Sequence, residues 1–411
     1  MSSLEIRTDC RLCGSTKLER CYSLEPTPLA NEYLLDRNKV QELYPLNLMV
    51  CNNCNHVQLQ HVVNKVTLFS NYLYASGTSS SFIQHFSSLA DETTNKLLYE
   101  GKKFLEIGSN DGTLLDIFKR KHFQVLGVEP AQNLAEMCAK RDLNVINDYF
   151  SVEVSQRIKL KYGEFDVISG NNVLAHVDNL KEIFVGFKTL LSKCGVIVFE
   201  VSYFHEVING KLFDTIYHEH LDYHTLTPLS NFLKEQKLRV FDADVVNSHG
   251  GSLRVFVCHD NAPYIGSKKL NDILAQEKGD KLIKNSISAL FEEVSVLKEQ
   301  LDSFLNKMIK EEKVIGAYGA PAKLTTFCYQ FGLDNKKISF VIDDSKIKQG
   351  RFTPGKKIPI IPFDAVNFDE LDVLIISAWN FSSTLSPKVK EKMKSGSFVV
   401  VPLPELKIFE N

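Results

Sequence analysis

A chain of 411 residues is long enough for two or three domains. Its 44% hydrophobic and 24% charged residues exclude extended disorder, and a net charge of −2 excludes a global attraction to nucleic acid, leaving only local basic patches. No apolar run approaches the ~20 residues of a membrane span, and the polar residues 1–9 do not read as a secretory leader, so a cytoplasmic protein without a membrane partner is expected.

Residues 1–70 carry two close cysteine pairs, Cys10/Cys13 and Cys51/Cys54. Each C-x-x-C fits a tight knuckle, and two knuckles make a tetrahedral four-thiolate zinc site. Gly14 suits the first turn, and His56 is a spare ligand that four thiolates do not need. Such a closed site is structural and holds together a segment too small for its own core. The other five cysteines (Cys21, Cys138, Cys194, Cys258, Cys328) are scattered, as buried apolar residues of a reducing compartment would be. Tyr72 and Tyr74 follow, placed either to pack or to cover a site in the next domain.

Residues 71–262 read as a doubly wound α/β domain. Strands are expected at 103–107, 124–128, 165–169, 195–201 and 252–258, with helices at 113–121, 131–141 and 179–191. The run Phe104-Leu105-Glu106-Ile107-Gly108-Ser109-Asn110-Asp111-Gly112-Thr113 is strand, small-residue loop and helix start, where backbone N–H groups meet a ligand. Glu129 ends the next strand, where an acid takes the ribose hydroxyls of an adenosine. Asn171, Asn172 and His176 fall at the carboxyl edge of the strand 165–169. The loop lacks G-x-G-x-x-G. Its E-x-G-x-x-x-G form, with Glu129 and Asp148 beyond it, resembles S-adenosylmethionine-dependent methyltransferases.

Tyr217-His218-Glu219-His220 lies among Asp214, Asp222, Tyr223 and His224. A metalloprotease H-E-x-x-H fails because position 222 is Asp. Three readings remain: a metal pair of His218 and His220 on one strand face, a general base with its supporting groups, or a polar loop of satisfied histidines. The catalytic reading needs a bend here, since strand alternation sends Glu219 and His220 to opposite faces. His249-Gly250-Gly251-Ser252-Leu253-Arg254 is either a tight turn into a strand or a way to face Ser252 and Arg254 to a substrate.

Residues 263–312 are connecting helices. Apolar residues recur at i+3/i+4 spacing from Ile287 to Met308, fitting a helix packed on a domain or, less simply, a dimerising coiled coil. Residues 313–411 form a second α/β unit, with a glycine loop at 316–323 and strands at 337–342, 371–377 and 397–401. The loop 343–355 is basic and turn-rich. With Lys323 it is either a solvated surface or a pyrophosphate contact.

In this order the motifs resemble the bacterial sugar C-methyltransferases, which act on nucleotide-linked ketodeoxysugars. The resemblance spans the four-cysteine segment, the stretch 72–76, the E-x-G-S-N-D-G loop, the Asn/His segment 171–176, Tyr-His-Glu-His, His-Gly-Gly-Ser-Leu-Arg, Gly-Ala-Pro-Ala-Lys and Lys-Gln-Gly-Arg-Phe-Thr-Pro-Gly. It implies three parts: a zinc-binding domain, a Rossmann-like methyltransferase domain and a C-terminal Rossmann-like domain closing over the nucleotide. The substrate it implies is a 4-keto-6-deoxyhexose on a nucleoside diphosphate, dTDP foremost, methylated at C-3 or in some members C-5. His220 matches the family's base, and Tyr217, Glu219, His176 and Tyr72 match residues lining the sugar. Glu106, Gly108, Asn110, Asp111 and Gly112, then Glu129, Pro130, Asp148 and Asn171, are the candidate S-adenosylmethionine contacts. Tyr74, Ser252, Arg254, Lys323, Lys348 and Arg351 are the candidate substrate contacts. Pro321 stands where the family has a small residue; it removes an N–H donor unless it occupies a first helical turn. A monomer or weak homodimer is expected. The competing readings are an RNA or protein methyltransferase guided by the zinc segment, and a non-catalytic binding module.

Overall fold

The computed structural model describes residues 4–69, 77, 80–248, 250–279 and 283–411. Tyr72, Tyr74 and His249 lie outside them.

Five strands open the chain: β1 (Leu4–Ile6), β2 (Leu18–Thr27), β3 (Tyr44–Cys51), β4 (Val57–Leu59) and β5 (His61–Val63). β2, β3 and β4 form an antiparallel sheet, and β1 pairs separately with β5. β3 buries Tyr44, Leu46 and Leu48 and leaves Pro45 and Asn47 half-exposed, the period of a strand with one face inward.

The central sheet takes β6 (Lys103–Ile107), β7 (Gln124–Val128), β8 (Val145–Ile146), β9 (Phe165–Ser169) and β10 (Leu191–Ser202). β11 (Asp222–Tyr223) leaves it, and β12 (Leu238–Val246) and β13 (Ser252–His259) return. Its order is β12-β13-β10-β9-β6-β7-β8, with β13 antiparallel to both neighbours and the rest parallel. Helices cover both faces, so β10 is buried without interruption from Gly195 to Val201. The covering helices are locally well specified. Ser151 caps Val152–Tyr162 through the Val154 N–H, and Asn179 caps Leu180–Leu190 through the Glu182 N–H.

The C-terminal unit holds β14 (Ile315–Tyr318), β15 (Phe340–Ile342), β16 (Ile360–Ile361), β17 (Val373–Ile376), β18 (Phe398–Val401) and β19 (Lys407–Glu410). Their order is β16-β15-β14-β17-β18-β19, parallel except for the edge strand β19. The helix Ile283–Lys310 buries Ile287, Leu290, Phe291, Val294, Leu297, Leu301, Leu305 and Met308 inside the chain. Phe291 stacks on Tyr22 of β2. This is the packed-helix reading of the stripe; its apolar face already has a cover.

The segment between β10 and β12 does not stay with the central sheet. β11 pairs with β4 as the fourth strand of the N-terminal sheet. Phe204, Phe213, Ile216 and Tyr223 share one core with Leu46 and Leu48 of β3, the long helix and the C-terminal sheet. The two faces of the central sheet have cores of their own. Residues 203–223 are therefore clamped where all three parts meet.

Candidate active site

The cofactor loop joins β6 to the helix Thr113–Arg120. Gly108 stands at φ +62°, where its N–H donates to the Val128 carbonyl at 2.8 Å, and a Cβ there would lie 2.5 Å from Val173 Cγ2. Gly112, at φ +77°, starts the helix, and a Cβ would lie 2.5 Å from Leu143 Cδ1. Only glycine meets both demands. Glu129 accepts from the Asn110 and Ala131 N–H groups, both at 2.9 Å. Asp111 accepts from the Thr113 hydroxyl at 2.7 Å and from the Gly77 N–H at 2.7 Å. Glu106 is buried, and burial, then Asp111 and Glu129, push its carboxyl well above the usual range. Burial likewise raises Glu129.

Among the described residues, Glu106 Oε2, Ser109 Oγ and Asn171 Oδ1 are buried here without a partner, while Asn171 Nδ2 donates to Ser169 Oγ at 2.9 Å. A crowd of carboxylates with orphaned acceptors suits a ligand that brings positive charge and hydroxyl donors. S-adenosylmethionine, with its sulfonium, ammonium and ribose, fits that cradle. Pro130 follows Glu129, its carbonyl accepting from Asn147 at 3.0 Å. Asp148 lies at the rim, paired with Arg157 at 2.6 Å.

The Tyr-His-Glu-His run is a turn, closed by the His220 N–H on the Tyr217 carbonyl at 2.9 Å. It supplies the bend that strand alternation forbade. His220 Nδ1 lies 2.8 Å from the Thr215 carbonyl, which only accepts, so Nδ1 carries the proton. Nε2 is then a lone pair, and the Tyr217 hydroxyl donates to it at 2.9 Å. The His176 ring lies 5.1 Å from that of His220. Burial, then the neighbouring His220, hold His176 well below its usual range, so it is neutral. Burial, then Glu219, raise the Tyr217 phenol. Glu219 is buried and accepts from Asn31 Nδ2 at 2.7 Å.

His218 faces the other way, its Nε2 donating to the Tyr44 carbonyl at 3.2 Å, and burial pulls it down to about 4. His218 and His220 thus meet different partners. Among the described residues the one group that could hold a metal is Cys10, Cys13, Cys51 and Cys54, whose sulfurs all lie within 4.8 Å of one another. Cys10–Cys54 and Cys13–Cys51 are each 3.6 Å apart, against the about 3.8 Å edge of a zinc–thiolate tetrahedron with 2.3 Å bonds. The knuckles close through Gly14 N–H on Cys10 O and Asn55 N–H on Cys51 O, with φ +67° and +62°. The quartet fits zinc.

From the C-terminal side, Gly319 at φ +103° lets its loop pass Ala378, where a Cβ would lie 2.4 Å from Ala378 Cβ. Pro321 stands one residue before the N-cap Ala322 of the helix Lys323–Gln330, and its carbonyl accepts the Leu324 N–H at 3.0 Å. Lys348 Nζ donates to the Ala320 carbonyl at 2.8 Å, as does the Tyr33 hydroxyl at 2.6 Å. Lys323 Nζ rests 3.7 Å from the Trp379 ring centroid and donates to Asn380 at 3.2 Å. Burial lowers both lysines. Arg351 folds back on the Ile347 carbonyl. Ser252 donates to the Ser248 carbonyl at 3.0 Å. Arg254 is buried, with Nε 2.7 Å from Glu200 and Nη1 2.7 Å from Glu92, so its guanidinium is engaged by carboxylates within the fold.

Three family profiles match in succession: a zinc binding domain over residues 10–69, a methyltransferase domain over 82–242 and a C-methyltransferase C-terminal domain over 247–404. The chain is 30% identical to the C-methyltransferase NovU of Streptomyces niveus over 407 residues, 97% of this chain and 96% of that protein. The chain belongs to this C-methyltransferase family. The resemblance to sugar C-methyltransferases drawn from the motif order is borne out at the level of the family, and S-adenosylmethionine is the methyl donor. Among solved structures the C-methyltransferase resembles an S-adenosylmethionine-dependent methyltransferase from Clostridium acetobutylicum (14% identity, 45% of this chain and 92% of that one, TM-score 0.35). It also resembles one from Thermotoga maritima (18%, 44% and 91%, TM-score 0.33).

Several groups that build the C-methyltransferase site carry no sequence signal. Thr215 acts through its carbonyl. Asp214 accepts from the Trp379 indole at 2.7 Å, and Thr326 donates to the Ile216 carbonyl at 2.8 Å. Asn31 comes from the four-cysteine domain. Each is an ordinary residue in its own stretch of chain and gains its place only through the fold.

Proposed function

We propose that this C-methyltransferase acts on a nucleotide-linked 4-keto-6-deoxyhexose, dTDP-linked foremost, and methylates the carbon next to the ketone, C-3. The observation that carries the reading is the His220 tautomer: Nδ1 is committed to Thr215, and Nε2 is basic beside a phenol. A ketone acidifies the adjacent C–H, and Nε2 removes that proton. Tyr217, a raised and therefore protonated phenol, donates to the developing enolate oxygen. Neutral His176 and Glu219 line the sugar. S-adenosylmethionine supplies the methyl group to the enolate carbon from the loop of Gly108 and Gly112. Glu106, Asn110, Asp111, Glu129, Pro130, Asp148 and Asn171 are the proposed cofactor contacts. Lys323, Lys348 and Arg351 meet the pyrophosphate, and Ser252 and Arg254 border the sugar pocket. The enzyme works in the cytoplasm as a monomer or weak homodimer, in branched deoxysugar synthesis.

The test is mass spectrometry of protein incubated with S-adenosylmethionine and dTDP-4-keto-6-deoxyglucose, its deoxy and amino relatives included. A sugar nucleotide heavier by one methylene supports the reading, and NMR then assigns the carbon. No product across the panel, with cofactor binding measured separately, rejects the substrate class.

A further inference from the structure

Glu219 is 2% exposed and sits one residue before the base, so its carboxylate needs a partner inside the protein. One partner reaches it from 188 residues away: Asn31 Nδ2 donates to Glu219 Oε1 at 2.7 Å. We propose that Asn31, delivered by the four-cysteine domain, is a positioning residue that aims the Glu219 carboxylate beside His220. This rests on reading 217–220 as the acid–base apparatus above.

The segment carrying Asn31 is itself held. The Asn31 carbonyl takes the Tyr33 N–H at 3.0 Å, and the Ala30 carbonyl takes the Thr325 hydroxyl at 3.2 Å. The buried Tyr33 hydroxyl donates to Ala320 at 2.6 Å. Asn31 therefore projects from a backbone fixed to the helix Lys323–Gln330 and the glycine loop before it. A carboxylate accepts only, so the amide must present its NH2. The amide is a neutral donor and brings no countercharge of its own, and the Glu219 carboxylate adds to the burial that raises the Tyr33 and Tyr217 phenols. A lysine or arginine in its place would form an ion pair and draw that charge away from the substrate.

The experiment compares Asn31→Ala and Asn31→Asp with the wild type as full-length, zinc-loaded protein. It measures kcat and KM with dTDP-4-keto-6-deoxyglucose across the neutral pH range, with S-adenosylmethionine affinity and zinc content as controls. Asn31→Ala should lower kcat roughly 10- to 100-fold, the scale of a hydrogen bond to a charged group, with KM and cofactor affinity little changed. Asn31→Asp sets two carboxylates against each other, which bind a shared proton as pH falls. Its activity relative to wild type should rise on acidification, because the protonated Asp becomes a donor again, whereas the Ala ratio should stay flat. Unchanged kcat in both variants overturns the proposal. So does a joint fall of turnover, cofactor affinity and zinc content, or an Asp ratio independent of pH. If the wild type itself leaves the sugar nucleotides unmethylated, the substrate reading fails. Asn31 is then judged by NMR titration of the His220 ring: a move of about 0.5 unit or more in Asn31→Ala supports positioning, and no move rejects it.

Discussion

One proton on His220 sets what the residue can do. With Nδ1 held by the Thr215 carbonyl, Nε2 carries the lone pair and meets the Tyr217 hydroxyl, the arrangement that the proposed base needs. His220→Ala should therefore cut methyl transfer by about 10²- to 10⁴-fold, the usual worth of a general base, and leave S-adenosylmethionine affinity in calorimetry unchanged. Parallel loss of binding would make the ring structural. Buried histidines also set acid stability, His218 and His176 among them and His224 most plainly outside the turn. His224 is buried with neither ring nitrogen partnered, and burial pulls it from 6.5 to about 4. Above 6.5 it is neutral folded and unfolded and contributes no pH dependence. Below that the unfolded chain takes a proton that the folded one refuses, so stability falls as pH drops toward 4. The loss amounts to about 3 kcal/mol at 1.36 kcal/mol per unit. Denaturant unfolding of His224→Phe should show the drop from neutral pH to pH ~4 reduced by that amount. An unchanged drop would mean that His224 protonates in the folded state.

At the scale of elements, the loop from β6 into Thr113–Arg120 concentrates demands on glycine. Gly108→Ala forces a Cβ into a left-handed conformation and against Val173, which should cost about 1–3 kcal/mol in thermal unfolding. It should also weaken S-adenosylmethionine binding at least ~10-fold, a fall that calorimetry would detect. Wild-type affinity would place the cofactor elsewhere. This loop was legible because a strand, its turn chemistry and its helix occupy ten consecutive residues. The expected strands 103–107, 124–128 and 165–169 all form, as do helices within a residue or two of the expected ends. β12 was not foreseen: its pairing with β13 shifts register between Val240 and Asp242, and a bulge spoils the alternation that marks a strand. β11 is two residues long and has no pattern to show. β10 begins at Leu191 rather than near 195, across another register shift.

For the molecule as a whole, the four-cysteine quartet is linked to the Tyr217–His220 turn. The Cys51 N–H donates to the His56 carbonyl, His56 Nε2 meets Asp222 Oδ1 at 2.7 Å, and β4 pairs with β11 just past His220. Stripping zinc, or Cys51→Ser, should lower metal content by elemental analysis and lower the melting temperature. Turnover should be lost, and S-adenosylmethionine affinity should fall with it, since Cys10 and Cys51 share a core with Leu105, Ile107 and Val128 of the strands that carry the cofactor loop. Full turnover in metal-free protein would detach the quartet from the site. The sequence displayed the ligands, the cofactor loop and the catalytic run, each a local cluster. It did not display their convergence, because Asn31 and Glu219 are 188 residues apart and Thr326 and Ile216 are 110 apart. Nor did it show that Arg254 is matched by Glu92, 162 residues away. Among the described residues no helix is long and apolar enough to cross a membrane.

The borrowed strand β11 has a consequence for how the protein is made. Gln58 of β4 waits for Asp222, which leaves the ribosome 164 residues later. At ~5–20 residues per second that is roughly 8–30 s during which β4 stays an open edge. The cysteine knuckles and the β2–β3 hairpin are complete long before, so metal capture precedes closure of the sheet. Nascent chains arrested before residue 222 should already retain zinc, yet expose that edge to chaperones or to one another until the catalytic turn emerges and seals it.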